Sequence, residues 1–224
     1  MTFSIVARCP QSGHFGIAAA TALPAVGKLV THAHPHAGAV ATQALLNPYL
    51  GIDGVKMLRE GAGAAEAKAA LCARDPRIEA RQFGIVDAAG RAVTHTGAEN
   101  LAWAGALTGE GYAVQGNRLA GAHVVHAIAG AFKREPGASL PSRLIAALEA
   151  GAAAGGDLEG ERSATIYIVA DEEYPLWDIR VDEHREPIAE LRRLHDIFAR
   201  DLLPHIRKMP SRADPGGADE DCVV

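Results

Sequence analysis

Strand-like and helix-like stretches of this chain come in separate runs instead of alternating one for one. That order restricts the fold more than any other feature. Stretches 2–8, 15–20, 29–34 and 38–44 read as two β-hairpins; the first turns at Pro10-Gln11-Ser12-Gly13 and the second passes through Pro35-His36-Ala37. Asn47-Pro48-Tyr49-Leu50-Gly51 breaks the pattern, and 52–60 and 64–73 then read as helices, with Ala67, Ala70 and Leu71 on one apolar side of the second. A third hairpin joins 81–87 to 91–96 through Ala88-Ala89-Gly90. Segment 109–116 reads as a loop, extended only at Tyr112-Ala113-Val114. Helices at 121–133 and 140–153, strands at 164–170 and 176–181, and a long charged helix at 187–208 complete the order. Such a sequence of hairpins and helix pairs excludes the βαβ alternation of a parallel doubly wound sheet. It predicts an α+β fold of antiparallel sheets covered by helices, and a four-layer αββα sandwich uses every element.

The 224 residues suffice for one substantial core, and the expected organisation is a single domain over 1–210 with a Gly/Asp-rich, disordered tail at 211–224. Aromatics are only 5% of a chain that is 48% hydrophobic and holds 24 glycines, so the core must rely on small side chains and close backbone approach. A formal charge of −5 without a basic stretch disfavours nucleic acid as a partner, because phosphate binding needs clustered Lys and Arg. Cys9, Cys72 and Cys222 have neither metal-type spacing nor the even count of a disulfide framework. No charged-then-apolar leader opens the sequence and no apolar run approaches the length of a membrane span. A cytoplasmic protein without a membrane partner is therefore expected.

Position 2 carries the chemistry most directly. Thr2 follows a Met1 that methionine aminopeptidase removes when the next side chain is small. Its removal would give one residue both a hydroxyl nucleophile and an α-amine of pKa near ~8 able to take the hydroxyl proton. An attacked carbonyl then needs a donor for its oxyanion, and Asn117, after Gly116, is either that donor or a turn-forming Asn. Asp157, after the Gly155-Gly156 helix stop, is placed to hold the amine, and Ser163 to relay a proton; the plainer readings are a loop Asp and a strand-start Ser. Gln43 and Asn47 offer neutral amides suited to an amide, imide or ureido substrate, or else a satisfied core Gln and a turn cap. Tyr49 lines the pocket or simply packs. His32, His34 and His36 form His-Ala-His-Pro-His; alternate strand residues share a face, so His32 and His34 are either a metal pair or, as for His34, pocket-lining. No metal or cofactor is otherwise implied.

Several blocks resemble the family called domain of unknown function 1028. They are Thr2-Phe3-Ser4-Ile5-Val6-Ala7-Arg8 with Phe15-Gly16-Ile17-Ala18, Leu23-Pro24-Ala25-Val26-Gly27, and Gly38-Ala39-Val40-Ala41-Thr42-Gln43-Ala44 leading to Asn47-Pro48-Tyr49. Arg81-Gln82-Phe83-Gly84-Ile85-Val86-Asp87, Tyr112-Ala113-Val114-Gln115-Gly116-Asn117 and Gly155-Gly156-Asp157 continue the match in order to about residue 185. The resemblance implies an Ntn-hydrolase-like αββα sandwich, a group that cleaves amide bonds with an N-terminal Thr, Ser or Cys, and it implies no substrate. Where the family often has Ser-Lys, this chain has Thr21-Ala22, which removes a lysine able to tune the nucleophile. The function expected is hydrolysis of a small non-peptide C–N bond, in an amide, cyclic imide or ureido compound, by Thr2. The alternatives are a degenerate fold that binds a small ligand, and a metal-dependent enzyme built on the three histidines. A homodimer is expected from the long charged helix and small-residue surfaces.

Overall fold

The computed structural model describes residues 2–217. Ten strands form two antiparallel sheets. The larger contains β1 (Thr2–Arg8), β2 (Phe15–Thr21), β7 (Gly105–Gly109), β8 (Tyr112–Asn117), β9 (Ser163–Val169) and β10 (Pro175–Val181), in the order β10-β9-β2-β1-β8-β7. The smaller contains β3 (Thr31–His34), β4 (Gly38–Ala44), β5 (Arg81–Asp87) and β6 (Ala92–Thr96), in that order. Helices α1 (Pro48–Arg59) and α2 (Ala64–Arg74) cover the outer face of the smaller sheet. Helices α3 (Ala122–Arg134), α4 (Leu140–Ala153) and α5 (Pro187–Asp201) cover the larger one, and the short α6 (Leu203–Ile206) follows α5. The sheets face each other, with β1 and β2 over β4 and β8 over β5. This is the αββα sandwich expected from the order of elements.

Three apolar clusters correspond to its three interfaces. Phe3, Ile5 and Ala7 of β1 point to α3 and α4 and join Ile128, Leu144 and Leu148. Val6 points the other way, into the space between the sheets, with Ile17, Ala19, Ala39, Ala41 and Val86. Val40, Phe83 and Ile85 face α1 and α2 with Leu58 and Leu71. Because both faces of the central strands are covered, they are buried nearly without interruption, and the alternation shows as a change of partner instead of a change from buried to exposed. Period two then places Thr2 and Ser4 on the same face as Val6, between the sheets.

Four sequence expectations change. Helix α1 begins at Pro48, not at Ile52: Asn47 accepts the Tyr49 N–H at 3.1 Å as the N-cap, and a proline at the first helical position needs no N–H partner. The loop reading of 109–116, extended only at 112–114, missed β7 and the second half of β8. β7 has glycine at both ends and thus weak strand propensity of its own; pairing with β8, Gly105 opposite Gly116 and Gly109 opposite Tyr112, decides its state. The long C-terminal helix breaks at Leu202, because Pro204 lacks the N–H that would bond to Arg200 and its ring opposes that carbonyl. Finally, 211–217 turn back on the chain: Arg212 pairs with Glu173 at 2.7 Å, and the Ser211 N–H bonds to the Asp214 carbonyl at 2.8 Å. The rest of the expected disordered tail, 218–224, lies outside the described residues.

Candidate active site between the sheets

At one end of the sandwich the inter-sheet layer changes from apolar to polar. Thr2, Ser4, Gln43, Gln82, Gln115 and Asn117 are all buried there. Strand register brings them together: Thr2 lies opposite Asn117, Ser4 opposite Gln115, and Gln43 opposite Gln82 on the facing sheet. The amides then bond across the gap. Gln43 Nε2 donates to the Thr2 carbonyl at 3.2 Å and to Gln82 Oε1 at 2.8 Å, and its own Oε1 accepts from Ser4 Oγ at 2.7 Å. Asn117 Nδ2 donates to the same Gln82 Oε1 at 2.9 Å, while Gln82 Nε2 donates to the Gly116 carbonyl at 2.8 Å. Gln115 Nε2 donates to Ser4 Oγ at 2.6 Å. Gly84 makes the approach of the sheets possible, since a Cβ there would stand 2.2 Å from Gln115 Oε1.

Thr2 sits at the mouth of this network. Its Oγ1 is 3.1 Å from Thr21 Oγ1, so two hydroxyls share a hydrogen bond at the first residue of β1 and the last of β2. The next residue, Ala22, donates its N–H to Asp157 Oδ2 at 3.1 Å, and Oδ1 accepts from the Glu159 N–H at 3.0 Å. Asp157 is 4% exposed; burial raises its pKa above the usual carboxylate range, opposed by those two N–H bonds and by the charge of the amino terminus. Its carboxylate is therefore held one residue beyond the cross-strand neighbour of Thr2.

On the other side, Asn117 forms part of the wall of an open cleft of about 350 Å³ that includes Ala44, Leu45, Glu99, Leu101, Arg77 and Arg118. Ala44 and Arg118, the residues directly after Gln43 and Asn117, both have left-handed backbones, with φ of 70° and 53°. Non-glycine residues in that region cost of order 1–3 kcal/mol each and collect at functional sites. The chain turns sharply there, and both network strands end at the cleft.

The residues expected from sequence divide cleanly. Thr2, Gln43 and Asn117 meet in one network, and Asp157 stands beside it. Ser163 lies opposite Thr21 in register, but its hydroxyl donates to the Leu23 carbonyl at 2.6 Å and accepts the Val26 N–H at 3.1 Å. Both bonds fix the 23–26 loop, and the hydroxyl proton is committed there, so Ser163 is not placed as a relay to Thr2. Asn47 caps α1 and donates to Asp75 Oδ2 at 2.8 Å; it serves the turn, not the Thr2 network. Tyr49 is exposed on α1, away from that network. His34 pairs with Gly38, at the opposite end of β4 from Gln43, with Nδ1 2.7 Å from the Pro35 carbonyl; it is not part of this site. His32 shares the outer face with it as alternation requires, but its ring lies against Gly51 of α1, and burial lowers its pKa against the pull of the Leu29 carbonyl. His36 is the turn residue, at φ 62°. Among the described residues, no three His, Cys, Asp or Glu side chains are grouped to hold a metal ion.

Sequence reasoning missed Thr21, Ser4, Gln82 and Gln115. Gln82 and Gln115 did leave a trace, as single polar residues inside strands that are otherwise apolar on both faces.

The chain belongs to the family of unknown function DUF1028, whose model matches residues 2–191. It is similar to the crystal structure of protein SPO2555 from Silicibacter pomeroyi, of the same family, at 29% identity and a TM-score of 0.88 over 96% of this chain and 98% of that one. A fainter likeness, 13% identity and a TM-score of 0.40 over 88% and 96%, is to Anbu (ancestral beta-subunit) from Yersinia bercovieri. No curated protein matches the chain. Among the described residues, no helix is long and apolar enough to cross a membrane.

Proposed function

We propose that this protein is an N-terminal-nucleophile amidohydrolase that uses Thr2, freed by removal of Met1, to hydrolyse a small non-peptide C–N bond. The observation that carries this reading is the position of Thr2 Oγ1: between the sheets, against the Thr21 hydroxyl, and across the strand pair from an asparagine amide that borders a cleft. Thr2 Oγ attacks the carbonyl carbon, and the α-amine takes its proton, directly or through Thr21. Directly opposite residues of an antiparallel pair have Cβ atoms about 5 Å apart, which puts the Asn117 amide within reach of an oxyanion formed beside Thr2. One Asn117 N–H is committed to Gln82 Oε1, which orients the amide and leaves the second for the oxyanion. The proton then passes to the leaving nitrogen as the C–N bond breaks, and water hydrolyses the ester on Thr2. Asp157, near the start of β1, holds the amine in position. Ala22 carries no amine, so no lysine assists at that position, and the α-amine is the base.

Two measurements test this together. Intact mass of the purified protein should show loss of Met1. A β-lactone probe, which acylates N-terminal hydroxyls by ring opening, should add its full mass to wild type and nothing to Thr2→Ala. Retention of Met1, or equal labelling of both proteins, sinks the proposal and leaves the fold as a ligand binder.

A further inference from the structure

We infer that the cleft beside Asn117 takes a small amide bearing a free carboxylate, of the N-acyl or N-carbamoyl amino acid class, with Arg77 and Arg118 holding the carboxylate. This inference rests on the Thr2 reading for the identity of the scissile bond, and on the cleft alone for the charge of the ligand.

The first argument is charge. The chain is acidic, at −5, yet the cleft wall carries two guanidiniums and one carboxylate, Glu99. Arg77 is exposed and, among the described residues, its guanidinium forms no ion pair; its backbone N–H donates to Asp75 Oδ1 at 2.8 Å and its carbonyl accepts the Ala80 N–H at 2.9 Å. Arg118 does pair, with Glu159, but the two side chains are 34% and 50% exposed. Exposed pairs of this kind are worth about 0–1 kcal/mol, so a ligand carboxylate competes with or shares that guanidinium. Arginine's planar fork suits a carboxylate bidentately.

The second argument is placement. Arg118 follows Asn117 directly, and its backbone is fixed: the N–H donates to the Leu101 carbonyl at 3.0 Å, and the carbonyl accepts the Leu158 N–H at 3.1 Å. A carboxylate held there lies a few bonds from a carbonyl at the Asn117 amide, which is the spacing within an N-acyl or N-carbamoyl amino acid. Glu99 accepts from the N–H of such a ligand, while exposed Leu45 and Leu101 flank its apolar part. The third argument is size: about 350 Å³ is near the small end of ligand sites, which run from about 300 to 1,000 Å³.

The test uses the Thr2→Ala protein, which holds a ligand without consuming it. Its binding to a panel of N-acetyl and N-carbamoyl amino acids, and to the methyl ester of each, is measured by calorimetry. At least one acid should bind tenfold or more tightly than its ester. Adding Arg77→Gln or Arg118→Gln should weaken that acid by roughly tenfold, the scale of a lost hydrogen bond to a charged group. No acid exceeding its ester, or undiminished binding by both arginine variants, overturns the inference. Both arginines lie at the surface, so neither change threatens folding. Wild type is then given the bound acid: binding without turnover defeats the Thr2 reading and leaves the ligand class standing, whereas equal turnover of acid and ester does the reverse.

Discussion

Gln82 and Gln115 are two buried glutamines a few ångströms apart in the same network, and replacing each with Met should have unequal consequences. Met has nearly the length of Gln and no amide, so each change removes hydrogen bonds with little change in volume. Gln82→Met deletes the Oε1 that accepts from both Gln43 and Asn117, and the Nε2 that donates to the Gly116 carbonyl and to Thr96 Oγ1 at 3.0 Å. An orphaned buried polar group costs about 1–3 kcal/mol. Gln43 retains the Thr2 carbonyl as an acceptor, so the loss is counted mainly on Asn117 and Gly116 and totals about 3–5 kcal/mol. Gln115→Met deletes a single bond, to Ser4 Oγ, which keeps its own bond to Gln43. It also removes an Oε1 that is buried without a partner. The cost should be about 0–1.5 kcal/mol. At about 2–4 °C per kcal/mol for a chain of this size, Gln82→Met should melt several degrees below Gln115→Met. Urea titration followed by circular dichroism gives the same comparison at 25 °C. If Gln115→Met is as destabilising as Gln82→Met, Gln82 Oε1 is not the shared acceptor of Gln43 and Asn117.

Asn47→Ala should cost about 1–2 kcal/mol through loss of the cap and of the Asp75 bond, with β-lactone labelling of Thr2 unchanged; loss of labelling in a folded variant would return Asn47 to the site. Gly97→Ala would bring a Cβ to 2.2 Å from the Glu79 carbonyl oxygen, and should shift the 97–101 segment and weaken ligand binding in the cleft, read by calorimetry; unchanged affinity and melting temperature would refute the contact. Asp87 is buried, which works to raise its pKa, but the Ala64 N–H and Arg91 hold it below the usual value. A depressed carboxylate stabilises the fold above its unfolded pKa of about 3.9, and the contribution disappears as pH falls through the lower folded value. The melting-temperature gap between wild type and Asp87→Asn should thus be full at pH 7 and close below about pH 4. Asp157 has the opposite sign: raised by burial, it favours the fold below about 3.9 and loses that contribution as pH rises through its folded pKa. Asp157→Asn should therefore be tolerated better at pH 7 than at pH 4, and the reverse ranking would contradict the burial argument.

The layered fold is legible in the sequence because it needs only local signals. The 38–44 and 81–87 strands and the 140–153 helix fall where periodicity puts them, and the turn residues fix which strands are hairpin partners. The errors lie where a local signal is weak or has two readings. Asn47-Pro48 both ends one pattern and starts a helix, and glycine-bounded β7 is a strand only because β8 is beside it. The site was less accessible. Thr2, Gln43 and Asn117 are marked by residue type and position, but Gln82 bonds to Asn117, 35 residues away, and Gln115 to Ser4, 111 residues away, and no local pattern encodes such bonds. The histidines show the converse. Alternation placed His32 and His34 on one face, yet which face that is depends on α1, whose Gly51 leaves the space that the His32 ring fills.

The inter-sheet layer has two ends with different chemistry, although the same strands build both. One end is closed by Val6, Phe15, Ile17, Val86 and Val169; the other holds Ser4, three glutamines and Asn117. An apolar layer throughout would serve stability at least as well, since a net intramolecular hydrogen bond contributes only about 0.5–1.5 kcal/mol, while a missing one costs more. Burying linked amides therefore exposes the fold to large losses for a modest gain. What the amides provide in return is fixed orientation: each has two distinct ends, and a shared acceptor such as Gln82 Oε1 sets the direction of both Gln43 and Asn117. The two strands that end in this network are also those whose next residues, Ala44 and Arg118, take left-handed backbones at the cleft. Directed amides and two of the left-handed residues meet at one end, near the Thr2 hydroxyl, and that combination is what a site needing a directed N–H beside a nucleophile requires.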